Sequence, residues 1–90
     1  MNEFRAVISG RVQMVMMRDF VRRSAKSLGV TGKVKNLPDG TVEVVAQGCR
    51  ETLRVLTDKL HKGSVFSRVD NVEVEWREPR VTYESFTIEY

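Results

Sequence analysis

The stretch from Gly10 to Arg18 has the residue types and the spacing of an anion-binding loop. An alternating run from Phe4 to Ser9 predicts a strand, and a helical period begins at Met16, so the stretch joins a strand to a helix. Backbone amides at the start of a helix lack partners within it, and the helix dipole adds partial positive charge there. A loop in this place therefore favours a phosphate or a carboxylate.

Arg18 adds a charged donor to this loop. It lies in the first helical turn, where a cation opposes the helix dipole at a cost of roughly a few tenths of a kcal/mol. A bound phosphoryl group would reverse that penalty, because the planar guanidinium donates paired hydrogen bonds to phosphate oxygens. Arg18 also shares a polar stripe with Arg22 and Lys26, and such a stripe is typically a solvated helix face. The residue pattern alone leaves both interpretations open.

Asn36 ends a predicted strand directly before a turn. Residues 30–36 and 41–47 predict two strands of a hairpin, joined by Pro38-Asp39-Gly40. Proline presets φ, and glycine accepts the left-handed position at the exit of the turn. By itself, an asparagine at such a place is typically only a turn residue.

The remaining patterns predict one α+β domain over residues 1–90. Amphipathic helices are expected from Met16 to Leu28 and from Cys49 to a stop at Gly63. Further alternation predicts a fourth strand around residues 72–76 and a short last strand over residues 86–90. This order predicts a ferredoxin-like βαββαβ sandwich, an antiparallel sheet of four to five strands with two helices on one face.

Composition limits the classes of function. Hydrophobic residues make up 41% of the chain, and the net charge is only +3, a mild excess that suits a small anionic ligand. No run approaches the roughly 18 apolar residues of a membrane span, and the chain enters a strand without a signal-peptide segment. The single cysteine, Cys49, has no internal disulfide partner. We therefore expect a cytoplasmic protein, a monomer, with no membrane association.

Two linked motifs resemble those of the acylphosphatase family. Gly10-Arg11-Val12-Gln13, followed by Arg18, resembles the signature Gly-x-Val-Gln-Gly-Val-x-Phe-Arg. Downstream, the run from Gly32 to Val42 resembles the second signature, Gly-x-Val-x-Asn-x-x-Asp-Gly-x-Val. The likeness extends in order through Gly48, the second helix and the last strand, so it covers nearly the whole chain.

The resemblance implies a hydrolase of the carboxyl–phosphate anhydride bond of acyl phosphates, releasing a carboxylate and inorganic phosphate. It implies that the Arg18 guanidinium binds the phosphoryl group and that the side-chain amide of Asn36 orients the attacking water. It also implies phosphate binding by the loop amides of Arg11, Val12, Gln13, Met14 and Val15. The resemblance implies neither a cofactor nor a metal. Since the carboxylate leaving group has a low pKa, protonation by a general acid is unnecessary. Inorganic phosphate is expected as product or inhibitor.

Met14 stands where the first signature has glycine, and Met17 stands where it has an aromatic residue. Glycine accepts positive φ freely, whereas methionine there costs roughly 1–2 kcal/mol. A displaced phosphate loop would lose rate, so Met14 predicts weakened activity. Met17 should still fill the core, because both groups are large and apolar.

Three alternatives compete with this interpretation. RNA-recognition modules share the βαββαβ order but stack bases on aromatic residues of the third strand, and residues 41–47 contain none, so no nucleic acid is expected. Metal-carrying ferredoxin-like domains would use a Cys-x-x-Cys motif, which one cysteine excludes. A non-catalytic relative that binds phosphate or carbamoyl phosphate remains the alternative within the family.

Overall fold

Five strands and two helices occur in the order that the sequence patterns predict. The computed structural model describes all ninety residues. Its elements are β1 (Asn2–Arg11), α1 (Met17–Ser27), β2 (Thr31–Asn36), β3 (Val42–Gly48), α2 (Arg50–Lys62), β4 (Arg68–Arg77) and β5 (Phe86–Glu89). The ferredoxin-like α+β fold is therefore confirmed. Neither helix combines the length and the apolar character needed to cross a membrane.

The strands form one mixed sheet in the order β4-β1-β3-β2-β5. The pairs β4–β1, β1–β3 and β3–β2 are antiparallel, whereas β5 pairs with β2 in parallel. The predicted antiparallel sheet is present in the four longer strands, and the short last strand adds one parallel pair at its edge. Residues 78–85 carry the chain from one edge of the sheet to the other, and local alternation does not specify which strand a distant segment will join.

Both helices pack on one face of the sheet and bury its alternate residues. The sheet contributes Phe4, Ala6 and Ile8 from β1, Val34 from β2, and Val42 and Val44 from β3. The helices contribute the apolar stripes that the sequence predicts: Val21 and Ala25 from α1, and Leu53, Leu56 and Leu60 from α2. Met17 is only 1% exposed, so it fills the core as expected.

Gly10 lies within β1 rather than at its end. The strand continues to Arg11, and its register against β4 shifts between Ser9 and Gly10, which marks a bulge. The φ angle of Gly10 is 122°, and a Cβ there would collide with the carbonyl oxygen of Arg68. Glycine is needed because β4 approaches so closely. The bulge then delivers the chain into the loop that precedes α1.

Candidate active site

The loop between β1 and α1 is anchored in the core by two of its valines. Val12 and Val15 are buried, whereas Met14 and Met16 are exposed. The hydroxyl of Ser64, in the loop after α2, donates a hydrogen bond of 2.7 Å to the carbonyl oxygen of Val15. Two buried valines and one hydrogen bond thus hold the loop in place, although it belongs to neither a strand nor a helix.

The backbone of this loop is turned twice into the left-handed region. Met14 has φ 60° and Met16 has φ 62°, the only non-glycine residues with positive φ. Methionine in this region costs roughly 1–2 kcal/mol, so Met14 adopts the conformation that glycine would take freely. Comparison with the first signature predicts this cost at Met14. No sequence feature predicts positive φ at Met16, which is the N-cap of α1.

None of the five backbone amides from Val12 to Met16 donates a hydrogen bond within the protein. Backbone amides are strong donors that are nearly always paired when they are away from water. Five unpaired amides in succession at the start of a helix form a concave surface of donors suited to an anion.

Arg18 lies in the first turn of α1 and lines a cavity of about 140 Å³. Its guanidinium forms no salt bridge, and its central carbon lies 4.9 Å from the centre of the Tyr90 ring. Asp19 lines the same cavity but is bound to Arg22 at 3.2 Å and to Arg23 at 2.9 Å. Since the Asp19 carboxylate already has two cationic partners, the charge of Arg18 is the one left for an anionic ligand.

Asn36 reaches the same cavity from the end of β2. Its side-chain oxygen is buried and accepts no hydrogen bond. A buried polar atom without a partner costs roughly 1–3 kcal/mol, so such atoms are rare outside sites that bind something. The cavity therefore joins a free guanidinium to an unpaired amide oxygen.

Gln13 connects the loop to the turn that follows Asn36. Its side-chain amide nitrogen donates to the carbonyl oxygens of Leu37, at 2.8 Å, and Thr41, at 2.9 Å. The turn itself is closed by Asp39, whose carboxylate accepts hydrogen bonds from the Thr41 hydroxyl and backbone amide. Both hydrogen bonds lower the pKa of Asp39, and the one from the Thr41 hydroxyl has the larger effect. These contacts fix the loop and the Asn36 turn relative to each other.

Ile88 of the last strand and Tyr90, directly after that strand, also line the cavity. Glu89, between them, lies 3.5 Å from the ammonium of Lys33 and 3.4 Å from that of Lys35, both on β2. The charge of Lys33 is the main cause that lowers the pKa of Glu89. These partly exposed ion pairs favour the parallel pairing of β5 with β2.

The structure brings together part of the residue set that the sequence singles out. Val12, Met14, Arg18 and Asn36 line the cavity, whereas Arg11, Gln13 and Val15 do not. The predicted site residues did not include the lining residues Met16, Met17, Asp19, Ile88 and Tyr90. The last two were missed because the last strand was assigned no partner. No three His, Cys, Asp or Glu side chains cluster closely enough to hold a metal ion.

Comparisons with known proteins identify the family. The family model described as Acylphosphatase matches residues 4–88. An acylphosphatase of Methanococcoides burtonii is 47% identical over 81 residues, covering 90% of this chain and 84% of the relative. That of Bacillus licheniformis is 40% identical over 90 residues and covers 100% of both chains. The crystal structure of the acylphosphatase from Bacillus subtilis matches with a TM-score of 0.97 and 34% identity, covering 100% of both chains. The chain therefore belongs to the acylphosphatase family of hydrolases, which act on acyl phosphates.

Proposed function

We propose that this chain cleaves acyl phosphates with Arg18 as the phosphoryl-binding residue and Asn36 as the residue that orients water. The observation that carries the proposal is the cavity lined by both, with the Arg18 guanidinium free of carboxylates and the Asn36 oxygen buried without a partner. In this proposal the loop amides from Arg11 to Val15 bind the phosphoryl oxygens together with Arg18.

Three groups at the start of α1 would each favour the binding of phosphate. The unpaired amides next to the loop's left-handed turns supply donors in a fixed arrangement. The start of α1 adds the positive end of a helix dipole, and Arg18 adds a full charge. Since the protein arranges these groups in advance, little reorganisation is needed when negative charge shifts during the reaction.

The attacking water would donate a hydrogen bond to the side-chain oxygen of Asn36. The water oxygen bonds to phosphorus while the bond from phosphorus to the acyl oxygen breaks, and the electron pair leaves with the carboxylate. The proton of the water passes to the released phosphate or to solvent. A carboxylate leaves without protonation because its pKa lies near 4, so positioning and charge stabilisation supply the catalysis.

Hydrolysis of benzoyl phosphate by the native chain and by Arg18→Gln and Asn36→Ala variants tests this proposal. Exposed residues outside the cavity give matched controls, Arg54→Gln on α2 and Asn71→Ala on β4. We expect both site variants to lose at least about a hundredfold in kcat/KM, whereas the controls retain native activity. Native activity equal to that of Arg18→Gln, together with retained phosphate binding, would support the non-catalytic alternative instead.

We further propose that the protein acts as a monomer in a reducing compartment such as the cytoplasm. The free thiol of Cys49 is exposed, which fits a reducing environment better than an oxidising one. Analytical ultracentrifugation with and without phosphate would test the monomer, and a stable dimer would contradict it.

A further inference from the structure

The residues that line the cavity divide into an inner and an outer set. Val12 and Met17 are buried within it, whereas Met14, Met16 and Tyr90 are 99%, 63% and 97% exposed. We call these three exposed residues the mouth of the cavity. Large apolar side chains this exposed are normal when scattered singly, but a cluster of them around one opening marks a binding surface.

The two methionines of the mouth are held outward by the strained backbone of the loop. Both have positive φ, while the valines beside them are buried. With Val12 and Val15 buried, Met14 and Met16 project beside the opening. Neither methionine contributes to the core, so core packing does not explain why large apolar groups stand there.

The charge distribution indicates which end of a substrate meets the mouth. Arg18 is the only cationic side chain that lines the cavity, and the one carboxylate side chain, that of Asp19, is ion-paired with Arg22 and Arg23. An acyl phosphate carries its charge at the phosphoryl end, which Arg18 and the loop amides attract. The acyl group then has to extend outward, past Met14, Met16 and Tyr90.

We propose that Met14 and Met16 determine specificity by packing against the acyl group, so that this enzyme favours acyl phosphates with an apolar acyl group. The inference rests on the proposed function, because it places the phosphoryl group at Arg18. Methionine suits this role, since its unbranched, polarisable side chain adapts to apolar groups of different shape. Burying part of an aromatic acyl group against the two side chains should lower KM by about three- to tenfold per methionine.

A neighbouring groove is a second place where the acyl group could bind, and its cationic residues would favour a different class of acyl group. It shares Met16 and Tyr90 with the mouth and is also lined by Arg22 and Lys26. An acyl group with a second carboxylate would be favoured there. Because Arg22 is already bound to Asp19, we expect this groove to contribute less than the methionines do.

The test measures kcat and KM with acetyl, benzoyl and succinyl phosphate for the native enzyme and for Met14→Gln, Met16→Gln and the double variant. Glutamine keeps the Cβ and the unbranched shape of methionine, so the backbone strain is unchanged while the apolar contact is lost. Val55→Gln, an exposed apolar position on α2, is the matched control. We expect the ratio of KM for benzoyl phosphate to KM for acetyl phosphate to rise about three- to tenfold in each single variant and to stay unchanged in Val55→Gln.

The outcomes separate this inference from the proposed function. If the native enzyme hydrolyses none of the three substrates, the proposed function fails. If it hydrolyses them but the KM ratio of benzoyl to acetyl phosphate is the same in the double variant, only the specificity inference is overturned. A native preference for succinyl phosphate over benzoyl phosphate would also overturn it, in favour of the subsite at Lys26.

Discussion

The side-chain amide of Gln13 lies 2.8 Å from the carbonyl oxygen of Leu37, which joins the candidate phosphate loop to the residue that follows Asn36. A second hydrogen bond from the same nitrogen reaches Thr41 across the turn. The two carbonyls belong to residues already paired with each other, since the Leu37 amide donates to Thr41 at 2.8 Å. Gln13 therefore fixes the distance between the two halves of the candidate site without lining the cavity itself.

Gln13→Ala should lower both stability and turnover. Loss of two hydrogen bonds costs about 1–3 kcal/mol of folding free energy, and loosening the loop relative to Asn36 should reduce kcat about tenfold to a hundredfold. Gln13→Glu should be worse, because it places an acceptor against two carbonyl oxygens. Urea unfolding and benzoyl phosphate kinetics measure the two effects. Reduced stability with native kcat would limit Gln13 to a structural role.

Asn36→Ala should separate activity from stability. The side-chain oxygen has no partner in the free protein, so its removal relieves a buried unpaired atom. We expect kcat to fall at least about a hundredfold while the free energy of unfolding stays unchanged or rises by about 1 kcal/mol. Thermal unfolding beside the kinetic assay checks this. A strongly destabilised variant would mean that Asn36 serves mainly to hold the turn.

Met14→Gly should stabilise the protein and raise its turnover of acetyl phosphate. The substitution removes a positive-φ penalty of roughly 1–2 kcal/mol and leaves no cavity, because the Met14 side chain is 99% exposed. A less strained loop occupies its binding conformation more fully, so weakened native activity should recover in part. Met14→Ala is the control, since it keeps the Cβ and hence the strain. Equal stability of the glycine and alanine variants would argue against strain at this position.

Tyr90→Leu should weaken substrate binding more than Tyr90→Phe does. The Arg18 guanidinium lies over the Tyr90 ring, and a cation–π contact at an exposed site contributes about 0.5–1 kcal/mol. Phenylalanine keeps the ring face, whereas leucine removes it. We expect KM for benzoyl phosphate to increase about two- to fivefold in the leucine variant, with kcat nearly unchanged. Indistinguishable KM values for the two variants would show that the ring does not orient Arg18.

Asp39→Ala should make the protein less stable at neutral pH, with a difference that disappears in acid. Hydrogen bonds from Thr41 lower the pKa of Asp39 below its ordinary value of 3.8 in the folded state. Its contribution is therefore present above that value and lost as the pH falls through the lowered folded pKa. Melting temperatures of native and variant protein, measured from neutral pH into acid, should converge. Asp39→Asn keeps the acceptor oxygen and should destabilise less; a pH-independent difference for Asp39→Ala would refute the mechanism.

The sequence alone determined the helices, most strand positions and the buried faces of the elements. The spacing of apolar residues within a short segment is enough to predict each of these. The two signatures also predicted Arg18 and Asn36 as a pair without any information on their positions in the fold. The helix ends were also predictable from local sequence. Gly29 and Gly63 both have positive φ and follow the last turns of α1 and α2.

Tertiary structure alone decided how the candidate site is held together. The parallel partner of β5, the carbonyls that Gln13 reaches and the presence of Tyr90 at the cavity all depend on contacts between distant segments, which local propensity does not encode. The left-handed backbone at Met14 and Met16 runs against residue preference and is adopted because Val12 and Val15 are buried on either side of Met14. The sequence thus specified the groups that carry the chemistry, and long-range packing specified their geometry.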